Sequence, residues 1–543
     1  MRKKRILFCG EATYLNTGYA TYLREVMKRL HATEKYDLAE FASYGEQKDP
    51  RSKTIPWKFY GNLPDDESQQ ERYDSLATNQ FGEWKFESVL LDFQPDIVCD
   101  IRDFWMFEHQ ERSPYRPYFH WVVMPTVDAA PQNEQWLSTF ESADAVFSYS
   151  DWGHEVLKKE SNGSIKCLGS APPSADAAYV PVEDKVKHKE DMGFDQNIKF
   201  VGTVMRNQRR KLFPDLFESF RKFLDVSGRQ DVWLYCHTSF PDLGWDIPKL
   251  LLKHGLSSKV VFTYICNNCN HTFPSFFSDA RRKCQGCGTF AAGLASVQKG
   301  ASYEYLASIM NLFDLYIQYA NSEGFGLPQV EAAGCGVPVM SIDYSAMSSV
   351  VRKLGGIPLT PKTLYSELET GCDRAVPDND YTAKKMEEFF NLSNEDQKSL
   401  GKNSRLNFEK YYQWEKTAKK WEDYFDSVEI KPDEETWKSP ARIHQPSTDV
   451  PANLSAAQYA RWLIAQVLGE PEKLNTFFES RLIRDLNYGM FVMGTGESYL
   501  NEDSYKFIRP QFEKFEKEDA YKMMVNLCNR RNQWESIRKE NIK

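Results

Sequence analysis

The stretch Asn321 to Pro338, NSEGFGLPQVEAAGCGVP, decides how this chain is read. It follows a short apolar run, Leu315 to Gln318, and precedes another, Val337 to Ile342. The order strand, glycine-rich turn, helix, strand belongs to open parallel sheets, whose ligands lie beyond the carboxyl ends of the strands. Gly324, Phe325 and Gly326 let backbone N–H groups approach an anion, and a helix opening at Leu327 aims its positive end at the same point. A diphosphate fits that geometry. Glu331, one turn into the helix, is placed to accept two hydroxyl hydrogen bonds from a ribose, while Glu323 at the strand end is close enough to meet a sugar.

Working outward, Lys199 to Thr203, Val232 to His237 and Val260 to Tyr264 supply the other strands of this sheet. Leu216, Phe217, Phe220, Phe223 and Leu224 mark a helix face between the first two. The same grammar runs through the amino-terminal half. Arg5 to Gly10, Ile97 to Asp100, Phe119 to Met124, Ala145 to Ser148 and Ile165 to Leu168 read as short strands. Tyr19, Tyr22, Leu23, Val26, Met27 and Leu30 form a helix face after the polar loop Glu11 to Thr17. The expected fold is α/β, with two facing Rossmann-like, doubly wound parallel-sheet domains over 1–180 and 181–430. Pro172, Pro173 and Pro181 punctuate the crossing. A proline-marked linker is expected over 431–452 and a helical region over 453–543, where Ser455 serves as an N-cap and Tyr459, Leu463 and Val467 share a face.

The 543 residues suffice for two or three cores, and 41% hydrophobic with 27% charged residues is an ordinary globular composition. With 68 basic against 77 acidic residues the formal charge is -9, which disfavours a protein that coats nucleic acid over its whole surface. No apolar run reaches the eighteen or so residues of a membrane-spanning helix, and the basic start Met1 to Arg5 leads into a strand rather than a signal peptide. Four of the eleven cysteines cluster and seven are scattered singly, so a reducing, cytoplasmic setting is expected.

The pair Glu323 and Glu331, with GFGLP and EAAGCGVP, resembles the family-4 retaining glycosyltransferases of the GT-B fold, relatives of glycogen synthase. The resemblance extends through VGTVMRNQRRKLFPDLFESF (Val201 to Phe220), HTSFPDLGWDIPKLL (His237 to Leu251) and Asp343 to Val351. It is looser in ILFCGEATYLNTGYATYLREV (Ile6 to Val26) and DAVFSYSDWGHEVL (Asp144 to Leu157). It implies a nucleoside-diphosphate sugar as donor, no catalytic metal, and a front-face reaction in which the departing phosphate oxygen deprotonates the acceptor hydroxyl. In VMRNQRRK, which carries Arg206, Arg209, Arg210 and Lys211, it assigns Arg206 and Lys211 to the donor diphosphate. Four cations also serve simply to solvate a helix start. Gly18 would let acceptor and departing phosphate approach the backbone, with Asn16 and Thr17 in the same loop. The family's histidine near the sugar has two counterparts in HWVVMPTVD: residue type favours His120 and position favours Asp128, and because strand ends face the cleft Asp128 is the polar group expected near the reacting sugar. Asp103, after the preceding strand, sits at the same rim, although any of the three equally well caps a loop.

Within CNNCNHTFPSFFSDARRKCQGCG, Cys266, Cys269, Cys284 and Cys287 form two C-x-x-C knuckles separated by fourteen residues, the spacing of a closed structural zinc site. The insertion leaves the end of the strand Val260 to Tyr264, so it should overhang the ligand edge. Arg281, Arg282 and Lys283 beside Phe273, Phe276 and Phe277 suit phosphate contact and base stacking, which makes DNA bearing hydroxymethylated pyrimidines one expected acceptor. A ribbon that only staples a long insertion accounts for the same residues. Polysaccharide, protein and small-molecule acceptors stay open. So does an inactive scaffold that binds nucleic acid through the ribbon and the basic tail Arg530, Arg531, Arg538 and Lys539.

Overall fold

Seven parallel strands make the first sheet: β1 (Lys4–Glu11), β2 (Tyr36–Ser43), β3 (Lys58–Gly61), β4 (Ile97–Asp100), β5 (His120–Val123), β6 (Ala145–Ser148) and β7 (Cys167–Ser170), ordered β3-β2-β1-β4-β5-β6-β7. The computed structural model describes residues 2–439 except 114, 279, 297 and 298. The helical region expected over 453–543, most of the linker before it and the basic tail lie outside the described residues. β2 and β3 escape a reading of the sequence because Asp37 and Glu40 break the apolar run of β2. Glu40 is nonetheless fully buried, its carboxylate accepting the Thr13 N–H (2.7 Å), the Thr13 hydroxyl (2.8 Å) and the Trp57 indole N–H (2.8 Å). A charged residue thus sits inside a strand because three donors replace water, and it anchors the loop that follows β1.

The second sheet contains β8 (Lys199–Val204), β9 (Val232–His237), β10 (Val260–Cys266), β11 (Thr272–Phe276), β12 (Ala292–Leu294), β13 (Leu315–Gln318), β14 (Val339–Ile342) and β15 (Ile357–Leu359). Its order is β11-β10-β9-β8-β13-β14-β15, with β12 also on β10. The pairs among β8, β9, β10, β13, β14 and β15 are parallel, whereas β11 and β12 of the cysteine insertion run antiparallel to β10. Both sheets therefore reverse their strand order beside a central strand, β1 and β8. This is where open α/β sheets present a crevice to ligands.

A two-stranded hairpin, β16 (Pro361–Ser366) with β17 (Asp373–Pro377), follows β15. The helix Trp414–Ser427 then returns to the first sheet. Its Trp421 is fully buried, with its ring centroid 4.5 Å from that of Phe147 and its indole N–H donating to the Tyr22 hydroxyl (2.9 Å). The chain so crosses between the two sheets twice, near 171–184 and again at this helix. Among the described residues no helix is long and apolar enough to cross a membrane.

Candidate active site in the interdomain cleft

Lys211 is fixed before any ligand arrives. After β8 the chain turns through Asn207, whose fully buried amide accepts the Trp245 N–H (2.8 Å) and donates to the Trp245 carbonyl (2.8 Å). The Trp245 indole N–H in turn donates to the Lys211 carbonyl (2.7 Å), and Lys211 bridges to Ala320 beyond the end of β13. The Lys211 ammonium lies against one oxygen of Glu323, which also accepts the Gln318 amide (2.8 Å), and Arg210 donates to the other oxygen (2.7 Å). Burial and the neighbouring Arg210 push the Lys211 ammonium toward its neutral form, and the Glu323 carboxylate in contact with it opposes that push.

The turn after Glu323 is shaped by close approach. A Cβ on Gly324 would lie 2.2 Å from the Thr126 methyl of the first domain, and Gly326 holds φ +83° as it opens the helix Leu327–Gly334. Any larger residue at 324 would force Thr126 or the turn to shift. Phe325 is buried beneath the turn, 5.8 Å from the Tyr412 ring centroid, so its role is packing.

Facing this helix start is that of Gly18–Ala32, N-capped by Thr17. Between them lies a cavity of about 190 Å³ lined by Thr17, Gly18, Asp176, Tyr303, Leu327 and Glu331, among others. No atom comes within 4 Å of a Cβ built on Gly18, so the helix start opens onto free space. Burial pushes the Glu331 carboxyl up to about 7, although the Tyr179 hydroxyl beside it works in the opposite direction. A carboxylate whose charge is so poorly solvated gains strongly from hydroxyl donors.

At the rim of the first domain, Asp103 accepts the Tyr19 hydroxyl (2.8 Å), and the same hydroxyl lies 2.6 Å from Thr126 Oγ1. Burial raises the Asp103 carboxyl. Asp128 accepts Arg374 Nη1 (2.8 Å) and the Ser322 hydroxyl (3.2 Å), joining the two domains at the rim.

Two residues considered from sequence stand elsewhere. Arg206 is paired with Asp242 (3.0 Å), whose carboxyl it holds down at about 2, so the arginine that meets Glu323 beside Lys211 is Arg210. The turn through Asn207 separates the two arginines and points them apart. His120 begins β5 at the amino edge of the sheet, away from the cleft. Its Nδ1 is 4.0 Å from Asp144 and its ring centroid 5.8 Å from that of Tyr424. Parallel strands present their carboxyl ends to the cleft, so a residue at the opposite end cannot reach it. Gln318, Tyr303 and Arg374 join the site without any motif to announce them, and Ser322 stands inside the stretch Asn321 to Pro338 without a role that its residue type announced.

The four sulfurs of Cys266, Cys269, Cys284 and Cys287 lie within 4.8 Å of one another, with 3.6 Å between Cys266 and Cys287 and between Cys269 and Cys284. Tetrahedral thiolates at the usual Zn–S length stand about 3.8 Å apart, so the donor set fits a single ion of that size. N–H groups of Asn268 (3.4 Å) and Gly286 (3.3 Å) point at the Cys266 and Cys284 sulfurs and would orient them as ligands. Of the ribbon's aromatic residues, Phe273 is buried and Phe276 and Phe277 are half-buried against the sheet. The Phe273 ring stacks on Tyr264, Phe276 meets Trp233 (5.1 Å) and Phe277 meets Phe262 (5.9 Å). Arg282 donates to the Phe276 carbonyl (2.7 Å). Arg281 and Lys283 are exposed, as is Phe290 at 71%.

Residues 295–407 match the family described as Glycosyl transferases group 1, which spans the helix before β13, the Glu323–Glu331 motif and the hairpin. No curated protein matches the chain in sequence. Solved structures share the fold. Sucrose-phosphate synthase from Thermosynechococcus elongatus is 15% identical with a TM-score of 0.55, over 78% of this chain and 98% of that one. HepE from Anabaena, solved in complex with UDP and glucose, is 14% identical with a TM-score of 0.55, over 78% and 100%. A glycosyltransferase from Rickettsia africae is 12% identical with a TM-score of 0.54, over 78% and 98%. With two facing parallel-sheet domains and the glycine turn on a group 1 segment, the chain has the GT-B fold and carries a domain of the glycosyl transferases group 1 family over 295–407.

Proposed function

We propose that the chain transfers a sugar, with retention of anomeric configuration, from a nucleoside-diphosphate sugar to a hydroxyl acceptor. The observation that carries this reading is that the Lys211–Glu323 pair leads through the Gly324–Gly326 turn directly into the helix whose Leu327 and Glu331 line the cavity facing Gly18. Lys211 and Arg210 neutralise the diphosphate as it departs, the helix start at Leu327 donates backbone N–H groups to it, and Glu331 grips the ribose. Glu323 faces the sugar and exchanges its cation partners with the incoming phosphates. Asp128 and Asp103 border the reacting sugar from the first domain. The UDP and glucose bound by HepE support a nucleotide sugar as donor.

In the reaction, the bond from the anomeric carbon to the diphosphate oxygen breaks and the acceptor oxygen bonds on the same face. The acceptor's proton passes to the departing phosphate oxygen. Glu323 is tied to Lys211, Arg210 and Gln318, which suits an electrostatic partner better than a free nucleophile. The test is release of nucleoside diphosphate across a panel of nucleotide sugars, followed by NMR of the product's anomeric configuration. No release from any donor, or an inverted product, refutes the reading. A stable sugar adduct on Glu323 from a slow fluorinated donor would refute the front-face route. Intact-mass analysis with oligosaccharides and with DNA containing 5-hydroxymethylcytosine as acceptors decides between those classes. Exposed Arg281 and Lys283 support DNA, and the packed phenylalanines of the ribbon support a purely structural insertion.

The four cysteines hold one structural zinc in this proposal. Metal analysis of the purified protein is expected to find about one zinc per chain, and Cys284→Ser, which removes a buried ligand, should lose it together with several degrees of thermal stability. A metal-free wild-type protein with unchanged melting would exclude the site.

A further inference from the structure

We propose that Arg374 is a positioning residue for transfer: from the β16–β17 hairpin it clamps Asp128 of the first domain against Ser322 and Glu323 of the second. This rests on the transferase reading above. Arg374 lies on β17, and its side chain is 10% exposed. One guanidinium nitrogen, Nη1, donates to Asp128 (2.8 Å) and to the Ser322 hydroxyl (2.6 Å). The other side of the fork, Nη2 and Nε, donates to Glu367 (2.7 and 3.1 Å) in the hairpin's own loop. The Ser322 hydroxyl also donates to Asp128, closing a three-membered polar ring across the domain boundary one residue before Glu323.

The hairpin backbone is fastened to both sides of the same boundary. Asp373 N–H donates to the Ala130 carbonyl (2.8 Å), and Ala375 N–H donates to the Asn321 carbonyl (2.9 Å). The Tyr344 hydroxyl donates to the Asp373 carbonyl (2.6 Å). A rigid two-stranded unit is thus bonded to residue 130 on one flank and residue 321 on the other, with a planar five-donor cation at the centre. Arginine suits this position because its fork fixes several acceptors at once, which an ammonium cannot reproduce. Two separate domains that must bring Asp128 and Glu323 to one sugar need such a strut, since misplacing reacting groups by about 1 Å costs about 10²-fold in rate.

Kinetics of Arg374→Gln, Arg374→Lys and Asp128→Asn, with the donor the wild type turns over, test the strut. Arg374→Gln is expected to lower kcat about 10- to 100-fold with donor KM within about threefold, because the diphosphate and ribose contacts lie on other elements. Arg374→Lys should recover only part of the loss. The double variant Asp128→Asn with Arg374→Gln should be no slower than Asp128→Asn alone, since Arg374 acts through Asp128. A kcat within threefold of wild type, or a double variant whose losses multiply, overturns the proposal. If the wild type turns over no nucleotide sugar, the transferase reading fails and hydrogen exchange decides the strut by itself. Arg374→Gln is then expected to speed exchange in 128–131 and 321–324 and leave the two sheets unchanged, and unaltered exchange in those segments overturns it.

Discussion

Lys211→Ala is expected to lower kcat by about 10²- to 10³-fold, the usual cost of deleting one preorganised group that stabilises charge developing in the transition state. The protein should still fold. Removing Lys211 leaves Glu323 bonded to Arg210 and Gln318, so no buried charge is stranded. Lys211→Arg should not restore the rate, because a larger planar guanidinium cannot take the place of a buried point charge against the one Glu323 oxygen that Gln318 also bonds. Arg210→Ala should cost less, about tenfold, since its side chain is 43% exposed and its charge is screened. Arg206→Ala should stay within about threefold, its guanidinium being engaged by Asp242. Steady-state release of nucleoside diphosphate measures all four. A Lys211→Ala enzyme within fivefold of wild type, or an Arg206→Ala enzyme as damaged as Lys211→Ala, would move the diphosphate site elsewhere.

Glu331→Gln is expected to stabilise the ligand-free protein at pH 8 while weakening donor binding. Burial holds the Glu331 carboxyl up at about 7 in the folded state, against an ordinary value of about 4.5. Between those values the folded chain binds a proton that the unfolded chain has released, so stability falls as pH rises through that window. Above about pH 7 the full cost applies, on the order of 3 kcal/mol, and below about pH 4.5 it vanishes. The amide carries no such cost, so the gain in melting temperature should be several degrees at pH 8 and near zero at pH 4.5. Glu40, also pushed up to about 7 by burial, adds a parallel dependence in both proteins and cancels in the comparison. In the donor complex the signs reverse. Loss of charge-assisted hydrogen bonds to the ribose should raise donor KM about 10- to 100-fold at pH 8. A variant no more stable than wild type at pH 8, or one with unchanged KM, would contradict the assignment of Glu331 to the ribose. Opposite shifts in stability and affinity are expected where a binding site stores unfavourable burial for use on a ligand.

Apolar runs of four to seven residues, with a glycine turn between strand and helix, already specified two parallel sheets. The spacing of four cysteines already specified one compact cluster of sulfurs. These features were legible because their signals are local: an apolar run, a helix start and a thiolate knuckle are each written in residues close together in the chain, even though the strands they mark pair over long separations, as Ile6 does with Ile97. β2 was hidden for a related reason. Nothing near Glu40 in the sequence tells that Thr13 and Trp57 return to satisfy it.

What sequence alone determined was the spacing of Glu323, Gly324 to Gly326 and Glu331, because they follow one another along one strand-turn-helix unit, whereas Lys211 follows β8, 112 residues earlier, and meets Glu323 only in the fold. Tertiary structure alone decided which arginine reaches Glu323, since the turn through Asn207 sends Arg206 to Asp242 and Arg210 inward. It also placed His120 at the amino end of its strand and buried Phe273 of the ribbon against Tyr264, leaving Phe276 and Phe277 half-buried. The clamp of Arg374 on Asp128 belongs to the same class. Its partners lie 246 and 52 residues away along the chain, and a contact over such separations exists only after both domains have folded and met.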